Sequence, residues 1–193
     1  ARPTAKQHQA GSAMEAAQPR DLVSEEDIRR RVGELAATIE RDYAGANEIL
    51  LLGVLRGAFI FLADLVRQIT IPRRIDFIAL SSYENGSNFV GGVRLIMDSR
   101  INVTGRHVLI VEDILDSGRT LSYLLETFQA RHPASLKSCV LVRKPGQEVP
   151  VPVDYVGFDI PDEWVVGYGL DYGDHYRALA YIGVVEPETG NAL

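Results

Sequence analysis

Cysteine, tryptophan and methionine are scarce: the 193-residue chain has one, one and two of them. With Cys139 alone, no internal disulfide can close, and this fits a reducing compartment, so a cytoplasmic location is expected. Cys139 lies in the apolar run Ser138–Val142. That setting suits a buried structural thiol rather than a nucleophile. No apolar stretch approaches the length of a membrane span. Positive charge is also short, with 20 Lys and Arg against 26 Asp and Glu, a net charge of −6 and a pI of about 5.2. That balance gives no support to general nucleic-acid binding. The Gly-Lys-Ser/Thr ending of a Walker phosphate loop is missing. No internal repeat and no second domain is visible. Residues 1–20 are polar and Ala/Gln-rich, and no apolar core follows their basic residues, so they form no signal peptide. They read as a disordered or expression-derived tail, with Gly11-Ser12-Ala13-Met14 pointing to Met14 as a natural start.

Residues 21–193 suffice for one domain with a sizeable core. Ser24-Glu25-Glu26-Asp27 resembles a capping box, and Ile28, Val32, Leu35 and Ile39 then recur on one helical face. Ile49–Leu55 is continuously apolar, as a strand buried on both faces should be. Phe59–Val66 reads as helix. Ile75–Leu80, Val108–Val111, Ser138–Val142 and Tyr155–Ile160 read as strands, with a helix near 120–131. Residues 81–100 carry three glycines and no strong period, so a flexible loop or hairpin is expected there. After Ile160 a short irregular region is expected. Strands alternating with helices imply an α/β domain with a mainly parallel sheet flanked by helices. Ligands bind such sheets at the C-terminal ends of strands. Arg56-Gly57, Glu112-Asp113 and Lys144 each follow an apolar strand, which suggests one composite site.

The most informative run is Val108-Leu109-Ile110-Val111-Glu112-Asp113-Ile114-Leu115-Asp116-Ser117-Gly118-Arg119-Thr120-Leu121. A buried strand leads to two adjacent carboxylates, then a small-residue turn, then a helix. The turn and helix N-terminus offer free N–H groups to a phosphate. The acids can accept from sugar hydroxyls or sit near a metal. Asp116 can alternatively N-cap the helix. Val108–Asp113 also suits the first strand of a receiver domain, but about a hundred residues precede it, and the Asp-Ser-Gly-Arg-Thr turn would go unexplained.

This run resembles the 5-phosphoribosyl-1-diphosphate motif of type I phosphoribosyltransferases, with every motif position filled. Leu55-Arg56-Gly57 resembles the first loop of the purine-salvage members, and Ser82-Tyr83 their flexible catalytic loop. Arg56 stands where some members have lysine. Val142-Arg143-Lys144-Pro145 places a lysine where the family contacts the purine 6-oxo group. Pro161–Tyr172 closely resembles the base-pocket segment of hypoxanthine phosphoribosyltransferases, with Trp164 where Phe or Tyr is commoner. Arg177 fits the family's late arginine.

The resemblance implies transfer of ribose 5-phosphate from 5-phosphoribosyl-1-diphosphate to N9 of hypoxanthine or guanine, with Mg²⁺ and release of pyrophosphate. It implies a small C-terminal hood that contributes to the base pocket, and a homodimer or homotetramer. It assigns the 5-phosphate to Asp116, Ser117, Gly118, Arg119 and Thr120, and the ribose hydroxyls to Glu112 and Asp113. Asp116 becomes the base at purine N7. Lys144 meets O6, Trp164 stacks on the purine, the Val165 backbone meets its 2-position edge, and Asp171 borders the base pocket. Asp171, with Glu112 and Asp113, is the candidate metal site. Arg177 and Arg56-Gly57 take pyrophosphate, and Ser82-Tyr83 closes over the centre. A non-proline cis peptide is expected between Arg56 and Gly57. The competing reading is a non-catalytic regulator of the same fold that binds RNA. Acidic pI and the retention of Asp116, Lys144, Asp171 and Arg177 argue against it.

Overall fold

A computed structural model describes residues 18–83 and 92–186. In chain order the elements are β1 (Arg20–Val23), α1 (Glu25–Asp42), β2 (Ile49–Leu55), α2 (Phe59–Gln68), β3 (Arg73–Tyr83) and β4 (Gly92–Met97). They continue as β5 (His107–Leu115), α3 (Arg119–Gln129), β6 (Ser135–Arg143), β7 (Tyr155–Asp159), β8 (Val165–Val166) and β9 (Ile182–Val184). Six strands form the main sheet in the order β4-β3-β2-β5-β6-β7. All its pairings are parallel except β3 with β4. This is the α/β architecture that the alternating pattern predicts.

The continuous apolar runs are explained by burial on both faces. In β2 and β5, Ile49, Leu51, Leu109 and Val111 enter one core with the inward faces of α1 and α2. Their neighbours Leu50, Leu52, Val108 and Ile110 enter a second core with Leu121, Leu124 and Phe128 of α3. Strand alternation thus sends successive side chains into two separate layers. Helix α1 starts where the capping pattern places it: Ser24 Oγ accepts the Asp27 N–H at 3.1 Å. Its predicted apolar face, Ile28, Val32, Leu35 and Ile39, is buried.

Two regions differ from expectation. The acidic pair lies inside β5, which runs on to Leu115, because β6 continues to pair beside it as far as Arg143. Over 81–100, where a loop or hairpin is expected, β3 runs past Leu80 to Tyr83 and pairs antiparallel with β4, which ends at Met97, as the arms of a hairpin do. Residues 84–91, and the side chains of Ser82 and Tyr83, lie outside the described residues. The C-terminal region is ordered rather than irregular: β8 and β9 join β1 in a three-stranded antiparallel sheet, order β1-β9-β8. Such short strands carry too few residues to show a period. This sheet begins at Arg20, the last residue of the expected tail, which pairs with Glu163 at 2.7 Å. It is tied to α2 by Tyr168, whose hydroxyl donates to Asp64 at 2.7 Å.

The outer edge of β7 is covered by Arg31 of α1, which donates to the carbonyls of Gly157 and Val156 at 2.8 Å each. A guanidinium fork there blocks further strand pairing. Gly157 itself has no room for a side chain, because a Cβ would lie 2.2 Å from the Leu141 carbonyl oxygen of β6. Gly157→Ala should therefore cost about 1–3 kcal/mol by overpacking against backbone. Urea denaturation checks this, and an unchanged midpoint would contradict the close β6–β7 contact.

Candidate active site

The C-terminal ends of β2, β5 and β6 gather the candidate residues. After β2 the chain makes a non-proline cis peptide at Leu55–Arg56. It lies one bond before the expected Arg56–Gly57, which is therefore not the cis bond. Gly57 is required by contact. A Cβ at Gly57 would sit 1.5 Å from Asp113 Oδ2, and a Cβ at Gly169 would sit 2.0 Å from the Gly57 carbonyl oxygen. Gly169 has φ +104, a conformation open to glycine. The β2 loop and the small sheet's loop thus meet backbone to backbone at Gly57 and Gly169, and the Asp113 side chain packs directly on Gly57.

At the end of β5, Gly118 takes φ +82 and caps α3 without any side-chain hydrogen bond. Asp116 therefore does not N-cap the helix, and its carboxylate stays exposed. The first-turn N–H groups of α3 have no intrahelical acceptors and face the turn Asp116–Gly118. A Cβ on Gly118 would meet the Val149 carbonyl oxygen at 2.1 Å, so the turn is held tight from outside. Arg119 is paired with Glu148 and points its charge along that neighbouring segment.

Glu112 and Asp113 differ in their surroundings. Glu112 is buried, and its Oε2 has no hydrogen-bond partner. Burial, with Asp113 beside it, drives its carboxyl well above the usual range. Asp113 is half-buried, and desolvation pushes it up to about 6 against N–H donors from its own backbone and Ile114 and the Arg177 charge.

Lys144 follows β6, its backbone N–H bonded to the Leu115 carbonyl at 2.9 Å. Although nearly buried, its Nζ lies 3.2 Å from Asp162 and 3.7 Å from Asp116. It also lies 5.9 Å from the Trp164 ring centroid. Trp164 is 58% exposed and meets Tyr172 edge-on at 6.0 Å. A large apolar face left in water beside a buried ammonium is an incomplete environment suited to a flat polar ring. The Val165 side chain is buried, which leaves only its backbone for a ligand.

On the other side of the stacked loops, Arg177 donates to the Gly169 carbonyl at 2.8 Å and pairs with Asp171 at 2.7 Å. Asp174 links Arg177 at 3.0 Å to Arg56 at 2.6 Å. Those two arginines hold the Asp174 carboxyl below its usual range. Among the described residues, no three His, Cys, Asp or Glu groups converge as a ready metal-ligand set. Asp171, whose charge acts on the Asp113 carboxyl, and Asp113 itself are oxygen donors of the kind Mg²⁺ takes one or two at a time alongside substrate phosphates. Sequence reasoning brought most of these residues together but missed Asp162 and Asp174. The second had a legible signal: Gly173-Asp174 between Tyr172 and His175 is a two-residue hairpin turn.

The Asp113 shift has a stability consequence. A carboxyl raised from 3.8 to about 6 on folding favours the folded state fully below pH 3.8, and that contribution is lost as pH rises through 6. At pH 7.5 Asp113→Asn should thus be more stable than the parent by about 1–2 kcal/mol, with the gap closing toward pH 4. Thermal melts across that range decide it, and a gap independent of pH would refute the buried-charge account.

The phosphoribosyl transferase domain family matches residues 21–173. A hypoxanthine-guanine phosphoribosyltransferase of Mycobacterium avium is 44% identical, over 94% of this chain and 97% of its own length. Among solved structures, a hypoxanthine-guanine phosphoribosyltransferase from Bacillus anthracis superposes with a TM-score of 0.81 at 46% identity, covering 86% of this chain and 98% of that one. A variant hypoxanthine phosphoribosyltransferase from Trypanosoma cruzi, complexed with its product IMP, gives a TM-score of 0.82 at 45% identity, covering 92% and 94%. The glycine-stacked loops and strand-end carboxylates are therefore those of a known architecture, and this chain belongs to the phosphoribosyl transferase family.

Proposed function

We propose that the protein is a purine-salvage enzyme that transfers ribose 5-phosphate from 5-phosphoribosyl-1-diphosphate to N9 of hypoxanthine, with guanine as a second acceptor. The products are IMP or GMP and pyrophosphate. The observation that carries this reading is Lys144, a nearly buried ammonium set between Asp116 and the exposed face of Trp164. The resemblance of the named relatives along nearly their whole length supports it. No observation favours the RNA-binding regulator.

In this reading the purine lies on Trp164, with O6 accepting from Lys144 and the Val165 backbone at the 2-position edge. Asp116 accepts the proton that leaves the imidazole ring as N9 bonds to C1 of the ribose. The 5-phosphate takes the first-turn N–H groups of α3 and the hydroxyls of Ser117 and Thr120, with Arg119 beside it. As the C1–O bond breaks, its electron pair leaves with pyrophosphate, and positive charge grows on the ribose ring. Asp113 and Glu112 accept from the ribose hydroxyls and stabilise that charge. Arg177, Arg56 and the Gly57 backbone receive the pyrophosphate oxygens. Asp171, with Glu112 and Asp113 nearby, would hold Mg²⁺, which when bound would help neutralise the leaving group's charge. Ser82 and Tyr83, at the end of β3, close over the centre and exclude water. The working form is a cytoplasmic homodimer or homotetramer, which light scattering after gel filtration would size.

The reading is tested by nucleotide formation with hypoxanthine, guanine, xanthine and adenine in parallel, with Mg²⁺. Hypoxanthine should be used rapidly and adenine poorly; no turnover of any base would overturn it. Asp116→Asn should lower kcat about 100-fold or more while leaving donor binding largely intact. Unchanged turnover would remove Asp116 as the base. Lys144→Ala should cut kcat/KM for hypoxanthine about 10- to 100-fold, the worth of a charged hydrogen bond. A preserved preference for 6-oxopurines over adenine would contradict the O6 contact.

A further inference from the structure

We propose that Asp174 is an internal stand-in for the leaving group, its carboxylate filling in the free protein the place between Arg56 and Arg177 that a pyrophosphate oxygen takes on binding. The inference rests on the reading that these two arginines meet pyrophosphate. One oxygen, Asp174 Oδ1, receives both guanidinium groups, Arg56 at 2.6 Å and Arg177 at 3.0 Å. A single oxygen shared by two arginines is the arrangement a bridging phosphate oxygen would adopt.

The turn is built to present that carboxylate. Gly173 and Asp174 have φ +58 and +65, and the N–H and C=O groups of Tyr172 and His175 bond reciprocally across them. Two successive left-handed residues make the tight hairpin turn in which Gly-Asp pairs are favoured. The Asp174 N–H donates to Asp171 Oδ2 at 2.8 Å, so the turn is fixed to the residue that also pairs with Arg177.

The two arginines are held unequally. Arg177 is only 20% exposed and is anchored by the Gly169 carbonyl and Asp171. Arg56 and Asp174 are 68% and 61% exposed, so their pair is bathed in water and weak. An entering pyrophosphate can therefore displace Asp174 without dismantling the cradle. Two arginines against Asp171 and Asp174 leave this foursome neutral, and loss of the Asp174 carboxylate leaves one net positive charge facing the ligand. Asp174 thus orders Arg56 while empty, and weakens the hold on pyrophosphate at release. It is a positioning residue that competes with the product.

The test is calorimetric titration of inorganic pyrophosphate with excess Mg²⁺ into the parent protein, Asp174→Asn and Asp174→Gly. Both substitutions suit a left-handed turn, so the fold is retained. Both variants should bind pyrophosphate about two- to tenfold tighter, the worth of one or two exposed ion pairs. The KM for 5-phosphoribosyl-1-diphosphate should fall in the same direction, and the gain should shrink in high salt. A residue that merely holds the turn would give the opposite sign. Unchanged or weaker binding in either variant, with the parent binding normally, overturns the inference alone. A parent protein that neither binds pyrophosphate nor forms nucleotide would overturn the functional reading and this inference with it.

Discussion

The site depends on one steric constraint, the packing of the Gly57 backbone against the Asp113 carboxylate on one side and the Gly169 backbone on the other. No side chain fits at either glycine: one would strike the Asp113 carboxylate and the other the Gly57 carbonyl. The small antiparallel sheet is carried by β1, the first described element, and by residues near the other end of the chain. Its only way to contribute to the strand-end site is to press a loop directly onto the β2 loop. Arg177 secures that loop by bonding Gly169 through both its side chain and its backbone carbonyl.

The same closeness explains the electrostatics. Glu112 and Asp113 are adjacent and poorly solvated, Glu112 Oε2 has no donor, and both carboxyls are pushed up. A protein optimised for stability alone would not place two acids there. On the proposed reading, ribose hydroxyls would supply donors to these acids, and ligand would relieve the cost of leaving them unpaired. Cations elsewhere in the site are compensated internally, Lys144 by Asp162 and Asp116, and Arg177 by Asp171 and Asp174. Ligand binding is accordingly an exchange of partners rather than the filling of vacant charge.

The central strands and the parallel sheet were legible because their physics is local and strong. Uninterrupted apolar runs at 49–55 and 108–111 mean strands buried on two faces, and α1 announced itself by its cap and its stripe. The turn between β5 and α3 was legible because its small residues break an apolar strand from an apolar helix. The small sheet was not, since strands as short as Val165–Val166 owe their existence to distant partners and not to any pattern of their own. The cis bond was placed one residue late because nothing in Leu55-Arg56-Gly57 marks which peptide is reversed. Asp162 and Asp174 escaped because their importance is purely relational. Each is an exposed acid in a turn, and only the fold shows the cation it meets.

Lys144 shows how that relational placement yields selectivity. Its ammonium is too buried to be satisfied by water, and its two acidic neighbours sit at 3.2 and 3.7 Å, so the second is a loose pair. On the proposed reading, a 6-oxo group arriving on Trp164 would give the ammonium a neutral acceptor and release Asp116 from it to take a ring proton. A 6-amino group presents a donor to a donor, and the buried charge would then lose solvent without gaining a partner, which is a severe penalty in such a setting. On that reading, discrimination between oxo and amino purines would come from an ammonium that can only donate, and its strength from the near-complete burial of Lys144.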